Sequence, residues 1–198
     1  EVVYKRRKHA LKGERLKVDI SNMIYETAES IVANNLDAKD YKNFDFELIR
    51  FFSMSSPVDA QEFETIDQST LIDQVYEAAY ERFQNKTKQS AEQVFPVIKD
   101  VYENPSNKFE RIVVPFTDGK KTLNVVTNLK NAYESGGKQL IEDFEKNISL
   151  AIIDDSWKEH LRKMDELKQS VQLAVHEQKD PLLIYKFESF ELFKALMD

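Results

Sequence analysis

The chain has 198 residues, no cysteine and a formal net charge of −7. That length suits one sizeable core or two small ones, and the missing thiols exclude disulfides, thiolate metal sites and cysteine nucleophiles. A pI near 5.2 argues against bulk nucleic-acid binding, the apolar runs are too short to span a bilayer, and the opening EVVYKRRK does not read as the basic start and apolar core of a signal peptide.

The charge is uneven, because Lys5, Arg6, Arg7, Lys8, Lys12, Arg15 and Lys17 crowd the N-terminal end. Periodicity predicts one long helix over residues 1–36, roughly ten turns if unbroken, with Leu16, Ile20, Met23, Ile24, Ala28 and Ile31 as its buried stripe. Gly13 is its weak point, at about 1 kcal/mol against alanine. Such a helix needs a partner of comparable length, which the C-terminal end is expected to supply. The helical pattern already runs at residue 1 and no initiator methionine precedes it, so the chain is expected to be a piece of a longer protein. The basic run has three readings: a solvated helix face, a contact for an acidic partner domain or anionic lipid, and a nucleic-acid arm.

Asn34, Asn35, Leu36 and Asp37 are expected to end this helix. A short helix starting at Asn43 or Asp45 should carry Phe46, Leu48, Ile49 and Phe52 up to Ser55, Ser56 and Pro57. Another is expected over residues 59–66, and a longer one from Ser69 towards Val101, kinked or interrupted at Pro96. Residues 108–126 carry the β signal: Phe109, Ile112, Val113, Val114 and Phe116, then Asp118 and Gly119 as a turn, then Leu123, Val125 and Val126. Pro115 places its strand at an edge, and a lone hairpin should lie on neighbouring helices. A helical turn or two should follow over residues 128–133, and Ser135, Gly136 and Gly137 read as a flexible joint.

The last sixty or so residues read as two helices folded back across a polar turn. The first arm's stripe is Phe144, Ile148, Ile152, Leu161, Met164 and Val171, with Trp157 beside it; the second arm's is Leu183, Phe187, Phe190, Phe193 and Met197. Trp157 and these phenylalanines are expected to be core. Asp180 is placed to accept the orphan N–H bonds of the second arm's first turn, with Pro181 at the position where a missing N–H costs nothing.

No phosphate-cradling glycine loop exists in the chain. His9, His160 and His176 are too scattered to suggest a metal site. The carboxylate pairs Asp154–Asp155 and Glu142–Asp143 read as solvated helix surface.

The run WKEHLRKMDELKQSV over residues 157–171, continued by QKDPLLIYKFESFELF over residues 178–193, resembles the scaffold segment of the SecA family, the ATPase motors of bacterial preprotein export. The opening EVVYKRRKHAL resembles the start of that family's long scaffold helix. The middle matches the family's helical wing domain in position and helical character. The resemblance implies a mainly α fold: scaffold over residues 1–38 and 137–198, with an inserted wing over residues 39–136 that carries the β-hairpin near 108–126. That hairpin looks additional to the short family form.

Function follows from the same resemblance. Residues 157–197 correspond to the two-helix finger, whose tip, His176, Glu177, Gln178, Lys179 and Asp180, is implied to contact the SecY channel and the unfolded preprotein. His176 stands where family members commonly carry tyrosine. Lys5, Arg6, Arg7, Trp157 and His160 are the implied docking positions for motor domains of the parent chain. ATP and Mg belong to those domains; no cofactor is implied for this piece, which is expected to be catalytically inert alone. The implied location is cytoplasmic, peripheral on the inner face of the bacterial plasma membrane, with anionic lipid as a further contact. The rival reading is a free-standing α-helical adaptor without a motor.

Overall fold

The computed structural model describes residues 2–13, 15–104, 109–173 and 180–197. Among them are eight helices and one two-stranded antiparallel sheet. They gather into two compact units, one of residues 13–145 and the other of residues 1–12 with 146–198.

The helix expected over residues 1–36 is two helices, α1 (Val2–Lys12) and α2 (Leu16–Leu36). Gly13 separates them with φ of 71°. A left-handed glycine just past a helix end carries no Cβ penalty, so termination competes well with continuation. Of the expected stripe, Leu16, Ala28 and Ile31 are buried, whereas Met23 is exposed. α2 lies along α5 (Gln68–Glu103), where the Ser21 and Tyr76 hydroxyls sit 2.7 Å apart and Tyr25 meets Tyr76 edge-on.

α3 (Tyr41–Phe52) and α4 (Ala60–Phe63) complete this half of the unit. The cap of α3 is Asp40, not Asn43 or Asp45: its carboxylate accepts from the Asn43 backbone N–H at 3.1 Å. Asp59 and Asp67 cap α4 and α5 in the same way, each satisfying two orphan donors. Phe44, Leu48, Phe63, Val32, Leu71 and Val75 form the apolar centre, all fully buried. Phe46 and Ile49 of the same helix face solvent. One polar group lies within this core. Asn35 donates to the Ile31 carbonyl at 2.8 Å and to Glu47 at 2.7 Å, and accepts from Asn43 at 2.6 Å, so the end of α2 is tied to α3 by a fully used amide.

Pro96 does not interrupt α5, which runs through it to Glu103. The proline removes one backbone bond of the helix, while the burial of Ala91 and Ile98 on either side of it holds both segments against the core.

The hairpin pairs β1 (Arg111–Thr117) with β2 (Thr122–Asn128). Its loop has four residues rather than the two expected at Asp118 and Gly119. The Asp118 carboxylate accepts from the backbone N–H groups of Lys120 and Lys121 at 2.8 and 2.7 Å, and these bonds to the charged form lower its pKa. Backbone bonds from Leu129 to Glu110 and from Asp118 to Lys121 set the ladder's phase. The bonded pairs are then Ile112 with Thr127, Val114 with Val125 and Phe116 with Leu123, while Pro115 opposite Asn124 falls in a non-bonded pair. Pro115 therefore costs the ladder nothing. The inner face packs with Ile98 of α5, α6 (Leu129–Glu134) and Leu140 of α7 (Lys138–Leu173), and Phe116 stacks on Phe144 at 4.4 Å. The hairpin thus lies on helices as expected, and α6 begins on its Asn128 cap.

Gly136 and Gly137 both have positive φ. Gly137 is buried, and a Cβ there would lie 2.6 Å from the Ala91 carbonyl oxygen of α5. The glycine pair is a tightly seated turn.

Glu145 is buried in the same unit. Burial pushes its carboxyl above the ordinary glutamate value of 4.5, against the opposing pull of the Thr87 hydroxyl and Lys17. The folded state therefore holds this proton more tightly than the unfolded chain does, and stability falls as pH rises from 4.5 through the raised value. Glu145→Gln is expected to raise the melting midpoint at neutral pH, with the gain closing as the pH approaches the ordinary glutamate value. A gain independent of pH would assign the effect to packing instead.

Candidate functional site

The second unit is built on the C-terminal part of α7. α1 supplies one neighbour and α8 (Pro181–Met197) the other. Asp154, Trp157 and His160 follow at intervals of three on α7 and so share a face.

Arg7 of α1 reaches Asp154 with both arms of its guanidinium, at 2.7 and 3.1 Å. The paired hydrogen bonds raise the arginine pKa and lower that of the aspartate. One turn further on, Tyr4 meets Trp157 edge-on at 6.3 Å. Trp157 stacks on His160 at 5.4 Å, and His160 meets Phe193 of α8 edge-on at 6.2 Å. The chain Tyr4, Trp157, His160, Phe193 thus links all three helices. Of the five expected docking positions, Arg7, Trp157 and His160 are drawn into this junction, whereas Lys5 and Arg6 face solvent.

Asp154, read from sequence as solvated surface, is the acidic half of the junction's ion pair. Glu142 likewise pairs with Lys17, at 2.7 Å. Both pairs join residues more than a hundred positions apart, which local pattern does not register. The basic run is also not one face: Gly13 divides it, with Arg7 paired inside one compact unit and Lys17 inside the other.

The start of α8 forms as the sequence predicts. Asp180 accepts from the backbone N–H groups of Leu182 and Leu183 at 2.9 and 3.4 Å, and Pro181 is the first helical residue. His176, Glu177, Gln178 and Lys179 lie outside the described residues.

The side of α8 turned inward differs from the expectation. Ile184, Tyr185, Leu192, Leu196 and Met197 are half-buried, the last as expected, while Leu183, Phe187 and Phe190 are 53%, 66% and 64% exposed. α8 is apolar on more than one side, so spacing alone leaves the inward side undecided. Ile148, Ile152 and Leu161 of the first arm's stripe are exposed too. Between α7 and α8 a cavity of about 270 Å³ is lined by Ser156, Glu159, His160, Lys163, Leu192, Ala195 and Leu196. Glu159 on its rim is held by Arg162, which also reaches Glu166, and this lowers the Glu159 pKa. Among the described residues no cluster of three or more metal-ligating side chains exists, and no helix is long and apolar enough to cross a membrane. The arrangement suits contact with other protein surfaces: a stiff helix pair with an apolar outer face and a charged rim.

The family model of the SecA wing and scaffold domain matches residues 1–198. The chain belongs to the SecA family. Proteins named protein translocase subunit SecA, from Christiangramia forsetii and Flavobacterium psychrophilum, are 66% and 64% identical over all 198 residues. A third, from Bacteroides thetaiotaomicron, is 47% identical over 197 residues. In each case the match takes up the whole of this chain and 18% of the relative. This SecA segment therefore spans less than a fifth of the curated relatives it matches, and its β-hairpin falls within the matched region. No solved structure matches the chain.

Proposed function

We propose that this chain is the wing and scaffold portion of a protein-translocating ATPase that exports unfolded preproteins through the SecY channel. The observation that carries the reading is the whole-chain match to the SecA wing and scaffold domain. Scaffold over residues 1–38 and 137–198 and wing over residues 39–136 is the corresponding assignment. ATP and Mg act in motor domains outside this segment. The assembly works at the cytoplasmic face of the plasma membrane, with anionic lipid as an additional contact for the exposed Lys5 and Arg6.

In this reading the α7–α8 hairpin delivers motion to the preprotein at its tip, residues 176–180. Two features support it. The Asp180 cap and Pro181 start α8 immediately after the tip, which holds one side of it on a rigid element. The exposed face of Leu183, Phe187 and Phe190 needs cover, and most of the relatives' length lies outside the match. We assign that cover to the motor domains of the same chain.

Deletion of residues 176–180 from the full-length protein is expected to leave basal ATP hydrolysis largely intact and to abolish transport into SecY-containing vesicles. Normal transport by that variant would remove the proposal.

A further inference from the structure

The hairpin has two outer edges, and they are not alike. With the ladder phase set above, the backbone groups of Arg111, Val113, Pro115 and Thr117 in β1 and of Thr122, Asn124 and Val126 in β2 point away from the partner strand. On β1 this outward row is broken by Pro115, which has no N–H; proline on an edge is a common guard against strand addition. On β2 the row is intact. Thr122, Asn124 and Val126 offer three N–H and three C=O groups, their side chains are exposed, and among the described residues nothing bonds to those groups. β2 carries neither proline nor lysine. The solvent face beside this edge carries one apolar patch: Val126 pairs with Val113, and both are exposed, as is Phe109.

We infer that the outer edge of β2 is a binding site for an extended stretch of unfolded polypeptide, which adds to the hairpin as a third strand. The edge reads backbone, so it accepts any sequence that can extend, with a preference for apolar side chains at alternate positions that reach Val126 and Val113. A five-residue edge buries far too little surface for a stable dimer, which needs on the order of 1,200 Å² or more, and a net charge of −7 opposes pairing between copies. A small, sequence-tolerant seat instead suits a weak and passing occupant. That the occupant in the cell is a chain in transit rests on the proposed function; the edge chemistry does not.

The test uses the full-length protein, stripped of any cysteines elsewhere, with Asn124→Cys introduced, since this segment has none of its own. The probes are capped peptides of alternating valine and threonine with lysine ends. Each carries one cysteine as a pyridyl disulfide, moved along the peptide. Strand addition predicts trapping yields that alternate with a period of two residues. Yields fall at least tenfold when the peptide backbone is N-methylated throughout, or when Val126→Pro removes an outward N–H. Arg111→Pro, which removes an outward N–H on the opposite edge away from the apolar pair, leaves them unchanged. Uniform trapping along the peptide, or equal trapping of the methylated form, would overturn the site, as would peptide-independent trapping as a disulfide-linked protein dimer. The methylation arm needs no proline in the hairpin, so it stands even if a proline variant misfolds. Trapping that persists after deletion of residues 176–180 separates failure of this site from failure of the finger reading.

Discussion

Phe44→Ala is expected to cost about 3–5 kcal/mol, measured as a fall in the urea midpoint with the slope unchanged. Phe44 is fully buried, its ring centroid 4.7 Å from that of Phe63 and 6.4 Å from that of Tyr41. Tyr41 and Phe63 themselves meet at 5.6 Å, so truncation leaves two rings facing a void that short, capped α3 and α4 cannot close by shifting. The Tyr41 hydroxyl is pinned to the Val58 carbonyl at 3.0 Å, which removes the easiest collapse. Phe46, two residues on, is 61% exposed, and its change to alanine is expected to fall within about 0.5 kcal/mol. Equal losses at the two positions would contradict the packing described for α3.

Gly137→Ala is expected to destabilise by about 2–4 kcal/mol, combining a left-handed backbone of about 1–3 kcal/mol with a steric contact. At φ of 87° a new Cβ would sit 2.6 Å from the Ala91 carbonyl oxygen, a backbone atom that cannot rotate away. Gly136 supplies the control. Its φ is 63°, but a Cβ there meets nothing within 4 Å, so alanine at residue 136 should cost about 1–2 kcal/mol from conformation alone. The difference between the two variants, read by thermal or urea unfolding, isolates the clash. If both behaved alike, the close seat of the turn on α5 would be wrong.

The features legible from sequence were those decided within a few residues. Asp59, Asn128 and Asp180 act through side-chain bonds two or three positions away. The hairpin also follows from alternation, and Pro115 from its missing N–H. Where the decision lay elsewhere in the molecule, local pattern failed. Gly13 is tolerable within a helix and excellent just past its end, and only the neighbours of α1 and α2 choose between these. Pro96 weakens α5 by one bond, a small loss beside the packing of Ala91 and Ile98. In α8, two apolar sides compete for one inward position, and Ile184, Tyr185, Leu192 and Leu196 outrank the more conspicuous phenylalanines. Arg7 and Asp154 meet from opposite ends of the chain. At the candidate site, the cap at Asp180 was readable and the aromatic junction was not, because Tyr4 and Phe193 have no sequence neighbours that announce Trp157.

That junction has an optical consequence. The chain holds one tryptophan, and it sits between Tyr4 and His160 where α1, α7 and α8 meet. Its emission therefore reports on this three-helix contact without any label within the segment. Separation of α1 from α7 would weaken energy transfer from Tyr4, and loss of the His160 stack would shift the emission of the indole. Any movement that disturbs this junction becomes a fluorescence signal native to this segment.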